Sequence, residues 1–336
     1  MTDRLARAVD DVRRRWVPDR RLGIFDVEVT AGTISGLTTS RDAQAVLRRL
    51  AADAGLAADV RVTPDESVGP NRAAVVTAAI APLCPEPQVA AARVSEVLHG
   101  EPLAVFQRRG DWLRVRAGDG YIAWIHAGYV AAGSDQWLED WVARATARSL
   151  GGELEHEGER RRLPVGARVA LRQGGTVETA DGRLASLVAG MVRPDAELRA
   201  EARLVAAPEL ARRWFGGAPY LWGGRTDWGC DCSGLVQAVY AARGVALPRD
   251  SDQQFTLGEE VPPSNVGAGY HAGDLLFFTE HSRVAHVALW AGGGRIVHAS
   301  LARGGVASDD LLGDAPRLRR LRDQFVGVRR VEGGRR

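Results

Sequence analysis

The chain has 336 residues, 45% of them hydrophobic, and its 44 basic residues stand against 42 acidic ones for a formal net charge of +2. That length is more than one ordinary core needs and implies about two to four domains. Near-balanced charge excludes the strong electrostatic attraction expected of a nucleic-acid or membrane-surface binder.

Residues 1–72 are read as a helix, the strand-like Gly23-Ile-Phe-Asp-Val-Glu-Val29, and a second helix from Ser40 to Ala54 with Ala43, Val46, Leu47 and Leu50 on one side. This is an N-terminal α/β segment. From 73 to 132 the pattern changes to short strands: Ala74–Ile80, Ala104-Val-Phe106, Trp112-Leu-Arg-Val115 and Tyr121-Ile-Ala-Trp-Ile125. The Gly110-Asp-Trp-Leu and Gly120-Tyr-Ile-Ala-Trp-Ile125 runs resemble bacterial SH3-like barrels. Between 133 and 195, Trp137 and Trp141 sit at helical spacing, and Leu163–Leu171, Gly175–Thr179 and Arg183–Val188 alternate with glycine turns as a second small barrel would. The last domain is read as residues 205–332.

That last region holds the chemistry. A helical period at Leu235, Val236 and Val239 follows the glycines of Trp222-Gly-Gly224, so Cys232 falls in the first turn of a helix. Unpaired N–H groups and the positive end of the macrodipole there favour a thiolate over the ordinary thiol and can also bind an oxyanion. Farther on, Val284-Ala-His-Val-Ala-Leu-Trp290 and Arg295-Ile-Val-His-Ala-Ser300 flank Ala291-Gly-Gly-Gly294 as strands of a hairpin. A hairpin centred on Gly293 puts residue 298 opposite 288 and makes His286 and His298 diagonal neighbours on one face. A two-residue turn between Gly293 and Gly294 puts them on opposite faces.

The motifs Tyr220-Leu-Trp-Gly-Gly224, Asp231-Cys-Ser-Gly234, Gly273-Asp-Leu-Leu-Phe277, His286-Val-Ala-Leu289 and His298-Ala-Ser300 resemble, in that order, those of NlpC-like cysteine peptidases of bacterial cell-wall metabolism. The resemblance covers about Ala211 to Val331. It implies an α+β protein with a papain-like catalytic domain behind one or two SH3-like barrels, and hydrolysis of the γ-D-glutamyl to L-diamino acid bond of murein stem peptides. By the same resemblance, Cys232 is the nucleophile, His286 the base, His298 the orienting residue, and Tyr220 an oxyanion donor. Asp231, next to the nucleophile, is the expected acid for a free substrate amine, with Ser233, Ser251 and Tyr121 as further substrate contacts. The alternatives are a cysteine amidase or acyltransferase on another substrate, and a non-catalytic binder of wall peptides built on the barrels.

Neither a metal nor an organic cofactor is expected: Cys230-x-Cys232 lacks structural-zinc spacing and a second ligand pair, Cys84 standing elsewhere among prolines. His99, His126, His156, His271 and His281 are read as solvated. So is Arg317-Leu-Arg-Arg-Leu-Arg322, because every basic residue is Arg and arginine clusters carry little information here. Met1–Arg13 lacks the apolar core of a secretory signal, no run reaches the roughly eighteen apolar residues of a membrane span, and three cysteines show no framework spacing, so the expected location is the cytoplasm. The expected partner is a murein stem peptide, with no nucleic acid and no membrane.

Overall fold

A computed structural model describes residues 2–262 and 267–332. The chain divides into two compact units, one of residues 1–75, 83–92 and 102–140, the other of 76–82, 93–101 and 141–336.

The first unit opens with a helix, Thr2–Trp16, and a sheet in which Thr33–Thr38 lies between antiparallel Phe25–Thr30 and parallel Ala57–Val62. Two of those strands escaped the sequence reading, because Ala57–Val62 is mostly exposed and carries little apolar pattern. The helix Arg41–Asp53 begins where Ser40 Oγ accepts from the Ala43 N–H at 3.1 Å, and buries Ala43, Leu47 and Ala51 along one stripe. A five-stranded sheet follows, in the order Val130–Gly133, Ala73–Val76, Pro102–Arg109, Trp112–Arg116, Ile122–His126. Leu113 and Val115 alternate inward along it.

In the second unit, residues 147–194 contribute a seven-stranded sheet, from Glu159–Arg162 at one edge to Val192–Pro194 at the other. Segments 76–82 and 93–101 belong with this unit for a visible reason. Arg168 N–H donates to the His99 carbonyl at 2.7 Å, Trp141 Nε1–H to the Gly100 carbonyl at 2.9 Å, and Arg225 N–H to Glu96 Oε1 at 2.7 Å. His99 is not solvated as expected. It is fully buried, its Nδ1 2.9 Å from the Thr77 carbonyl and its Nε2 accepting from the Ala180 N–H, also at 2.9 Å. Burial pushes its pKa down to about 4, keeping it neutral.

The C-terminal region is an antiparallel six-stranded sheet in the order Glu259–Val261, Phe325–Arg330, Leu275–Glu280, Arg283–Gly292, Arg295–Ser300, Gly305–Asp310. Period-two alternation splits its side chains into two cores. Leu275, Phe277, Val287, Leu289, Val297 and Ala299 pack with Leu235, Val236 and Val239 of the helix Cys232–Ala242. Leu276, Phe278, Ala288, Trp290 and Ile296 fill the opposite face. Arg317–Arg322 lies within the helix Pro316–Asp323 and is not merely solvated: Arg322 donates to the Gly313 carbonyl at 2.7 Å and Arg317 to Asp309 at 3.0 Å. Among the described residues no helix is long and apolar enough to cross a membrane.

Candidate active site

Asp231 starts the site by starting its helix. Its Oδ1 accepts from the Gly234 N–H at 2.7 Å, an N-cap that places Cys232 at the first helical position. Gly234 is glycine because a Cβ there would stand 2.1 Å from the Gly224 carbonyl oxygen, which itself accepts from Asp231 N–H and from Arg249. Helix and glycine loop therefore touch backbone to backbone, and the Asp-Cys-Ser-Gly spacing follows from that contact.

The Asp231 carboxylate is saturated. Besides Gly234 it accepts from Gly223 N–H at 2.9 Å and Ser233 Oγ at 3.2 Å, and Arg249 grips both oxygens, at 3.0 and 2.7 Å. Arg249 is 1% exposed and also donates to Ser233 Oγ at 2.9 Å and Ser95 Oγ at 3.1 Å. Asp231 was expected to meet a substrate amine, yet its acceptor sites are already taken by a fixed guanidinium, two backbone amides and a hydroxyl. Ser233 is occupied in the same network. Ser251, also buried, begins the short helix Ser251–Gln254 two residues after Arg249. Tyr121 is a residue of the first unit, where it is 6% exposed and its backbone carbonyl accepts from Ala117 N–H.

The thiol lies against the His286 strand: Cys232 Sγ is 3.9 Å from the Ala285 carbonyl and hydrogen-bonds to the Val287 backbone, the residues on either side of His286. Its resting state corrects the expectation of a helix-stabilised thiolate. Burial, with the Asp231 carboxylate adding to it, pushes the Cys232 thiol up to about 12. Desolvation outweighs the backbone donors at the helix end. Tyr220 is placed by its N–H, which donates at 2.9 Å to the carbonyl of Gly304, a residue at φ 73 where glycine is favoured. Burial, with the Asp231 carboxylate adding to it, raises its phenol pKa, so the hydroxyl keeps its proton and remains a donor.

The hairpin resolves the turn ambiguity. Leu289 pairs with Val297 and Trp290 with Ile296, a register centred on Gly293. At the tip the pairing shifts to Gly292 with Arg295, so a bulge at Ala291 accommodates a tight turn without moving the body of the hairpin. His286 and His298 are accordingly diagonal neighbours, with Nε2 of the first 2.9 Å from Nδ1 of the second. Burial and the adjacent His298 push His286 down to about 3, leaving it a neutral imidazole. Behind them, His298 Nε2 is 3.3 Å from Asp309 Oδ2. Arg249 and Asp309 were both missed. Arg249 stands two residues before the expected substrate contact Ser251, and Asp309 could have been reached by carrying the strand pairing past the turn at Gly304.

A family model described as NlpC/P60 family matches residues 217–324, and one described as bacterial dipeptidyl-peptidase SH3 domain matches 83–128. The chain carries an NlpC/P60 domain behind a bacterial SH3 domain. The NlpC/P60 match encloses Tyr220, Cys232, His286 and His298, so the motif resemblance and the family model agree on the same stretch. Among curated relatives, the gamma-D-glutamyl-L-lysine dipeptidyl-peptidase of Bacillus subtilis (strain 168) is 40% identical over 89 residues, 26% of this chain and 29% of that protein. The gamma-DL-glutamyl hydrolase of the same organism is 43% identical over 88 residues, 25% of this chain and 20% of that protein. The chain thus spans under a third of the length of either relative. An NlpC/P60 family protein from Bacillus cereus ATCC 10987 has the same fold, with a TM-score of 0.61 at 18% identity over 78% of this chain and all of that one. Among the described residues no two cysteines form a disulfide, and no group of three or more His, Cys, Asp or Glu side chains could hold a metal ion.

Proposed function

We propose that this chain is a cysteine endopeptidase that cleaves the γ-D-glutamyl to L-diamino acid bond of murein stem peptides. The observation that carries the reading is the 2.9 Å contact between His286 and His298 beside a helix-terminal Cys232. A nucleophile, a base and a group that orients the base are the parts that acyl transfer needs. The γ-glutamyl choice rests on the names of the two relatives above, which share it.

Cys232 attacks the γ-carbonyl carbon of D-Glu. Because the resting thiol and imidazole are both neutral, the proton moves from Sγ to His286 as the C–S bond forms. Tyr220 keeps its hydroxyl proton and donates a hydrogen bond through it to the oxyanion. His286 then gives its proton to the leaving diamino-acid amine, and water hydrolyses the thioester. No step calls for a cofactor. Held by its partners, Asp231 caps the helix and fixes Arg249.

The finer reading is that the substrate is the free peptide of cell-wall recycling, not the intact wall. The dipeptidyl-peptidase description of the matched SH3 domain supports it. Incubating the protein with L-Ala-γ-D-Glu-diaminopimelate and with its N-acylated form, products followed by mass, tests both levels. L-Ala-D-Glu released from the unblocked peptide alone supports the free-peptide reading, and equal cleavage of both overturns it. Cleavage of neither, with Cys232→Ala as control, overturns the peptidase reading.

A further inference from the structure

Asp309 is a buried carboxylate that the Cys-His-His reading leaves without a task, 6% exposed and in line with both imidazoles. It lies opposite Ile296, and His298 opposite Ala307, so Asp309 and His298 are diagonal neighbours just as His298 and His286 are. Three adjacent strands thereby present one continuous row, His286, His298, Asp309. Resting on the assignment of His286 as base, we propose that Asp309 is a positioning residue that sets the tautomers of both imidazoles and shares the positive charge His286 acquires during acyl transfer.

The chain of protons follows from what each atom can do. Asp309 is ionised, because His298 and Arg317 hold its pKa well below the usual carboxylate range. An ionised carboxylate only accepts, so in the single-proton form of His298 the 3.3 Å contact requires that proton on Nε2. His298 Nδ1 is then an acceptor, and across 2.9 Å the donor must be His286 Nε2–H. That leaves the lone pair of His286 on Nδ1, the ring nitrogen nearer its own backbone. Cys232 Sγ lies against that backbone, at Ala285 and Val287. When Nδ1 takes the thiol proton, the Nε2 proton can pass to His298 Nδ1, moving the cation into contact with the carboxylate while every proton is accounted for. The other charged groups facing Asp309 are Arg317, 3.0 Å away on the helix Pro316–Asp323, and Arg303, 3.6 Å away on the turn Leu301–Arg303. Both are about two-fifths exposed and balance the carboxylate without neutralising it by burial.

The experiment uses the full chain. Two-bond ¹⁵N correlation spectra at neutral pH are expected to show both His286 and His298 protonated at Nε2, and a wild-type His286 protonated at Nδ1 overturns the proposal outright. In Asp309→Asn the carboxamide can turn its NH₂ toward His298 Nε2 and reverse both tautomers. Alkylation of Cys232 by iodoacetamide, located by mass, is then expected to slow about tenfold or more with its pH profile displaced upward, and kcat on the γ-D-glutamyl peptide to fall by a similar factor with KM within about threefold. Asp309→Glu is expected to restore most of both. Asn behaving like wild type in tautomers and alkylation reduces Asp309 to a packing role and overturns the proposal. If the Asn variant does not fold, the wild-type tautomers and the Glu variant decide. Alkylation needs no substrate, so a wild type that shows the expected tautomers and profile but cleaves no γ-D-glutamyl peptide overturns the proposed function and leaves this inference standing.

Discussion

Two aspartate–arginine pairs flank Cys232 and the two histidines, and they differ in what water can reach. On the helix side, Asp231 and Arg249 are 8% and 1% exposed at the side chain and saturate one another with backbone and hydroxyl partners. On the hairpin side, Asp309 is 5% exposed but its arginine partners, Arg317 and Arg303, are 42% and 41% exposed. A charge neutralised in the dry interior is structure: breaking it strands a buried ion, so it caps, braces and does not move. A charge countered by wet arginines keeps its field on the neighbouring imidazole, because the exposed partners are screened. The same residue types thus brace the Cys232 helix on one side and leave a carboxylate facing His298 on the other.

That contrast can be broken at several points. Cys232→Ala should abolish turnover, a loss of at least about a thousandfold, with stability nearly unchanged; retained turnover would mean that the helix side does not supply the nucleophile. Arg249→Met should unfold the protein more easily by about 3–5 kcal/mol in urea titrations, since Asp231 is left as an uncompensated buried charge. Arg317→Met, the corresponding change on the hairpin side, should cost under about 1 kcal/mol, and equal losses in the two variants would erase the distinction drawn between the pairs.

Acid provides a third test, through two histidines held neutral without a buried carboxylate beside them. His99 and His286 have folded pKa values of about 4 and about 3, below the ordinary 6.5. The unfolded chain therefore binds more protons between those values and 6.5, so the stability they confer is complete above 6.5 and is lost as pH falls through that window. For fully buried His99 the loss is on the order of 3 kcal/mol. Denaturation midpoints that stay constant from pH 7 to pH 4 would refute this. The smallest expected effect is spectroscopic: with the thiol raised to about 12, the free protein at neutral pH should lack the 240 nm absorbance of a thiolate, whereas a preformed ion pair would show it.

Much of the six-stranded sheet was legible because its strands are apolar runs broken by glycine, and because a helix at Cys232 follows from Leu235, Val236 and Val239. The N-terminal unit was less so: Ala57–Val62 is an exposed strand with few apolar residues to announce it. Arginine misled in both directions. Its abundance made Arg317 and Arg322 look like solvated surface, although both make specific bonds, and Arg249 passed unremarked between Pro248 and Asp250. His99 looked like a loop residue because its partners, Thr77 and Ala180, are remote in sequence and are backbone groups that no side-chain pattern reveals.

By itself the sequence determined which atoms are available: a thiol at a helix start, two imidazoles on neighbouring strands, and glycines where backbone must approach backbone. These are local matters of periodicity, capping and sterics. Only the tertiary structure decided their states. A bulge at Ala291 chose the register that joins His286 to His298. Burial beside Asp231 kept Cys232 a thiol despite its place at a helix end, because desolvation depends on everything packed around a group and not on its neighbours in the chain.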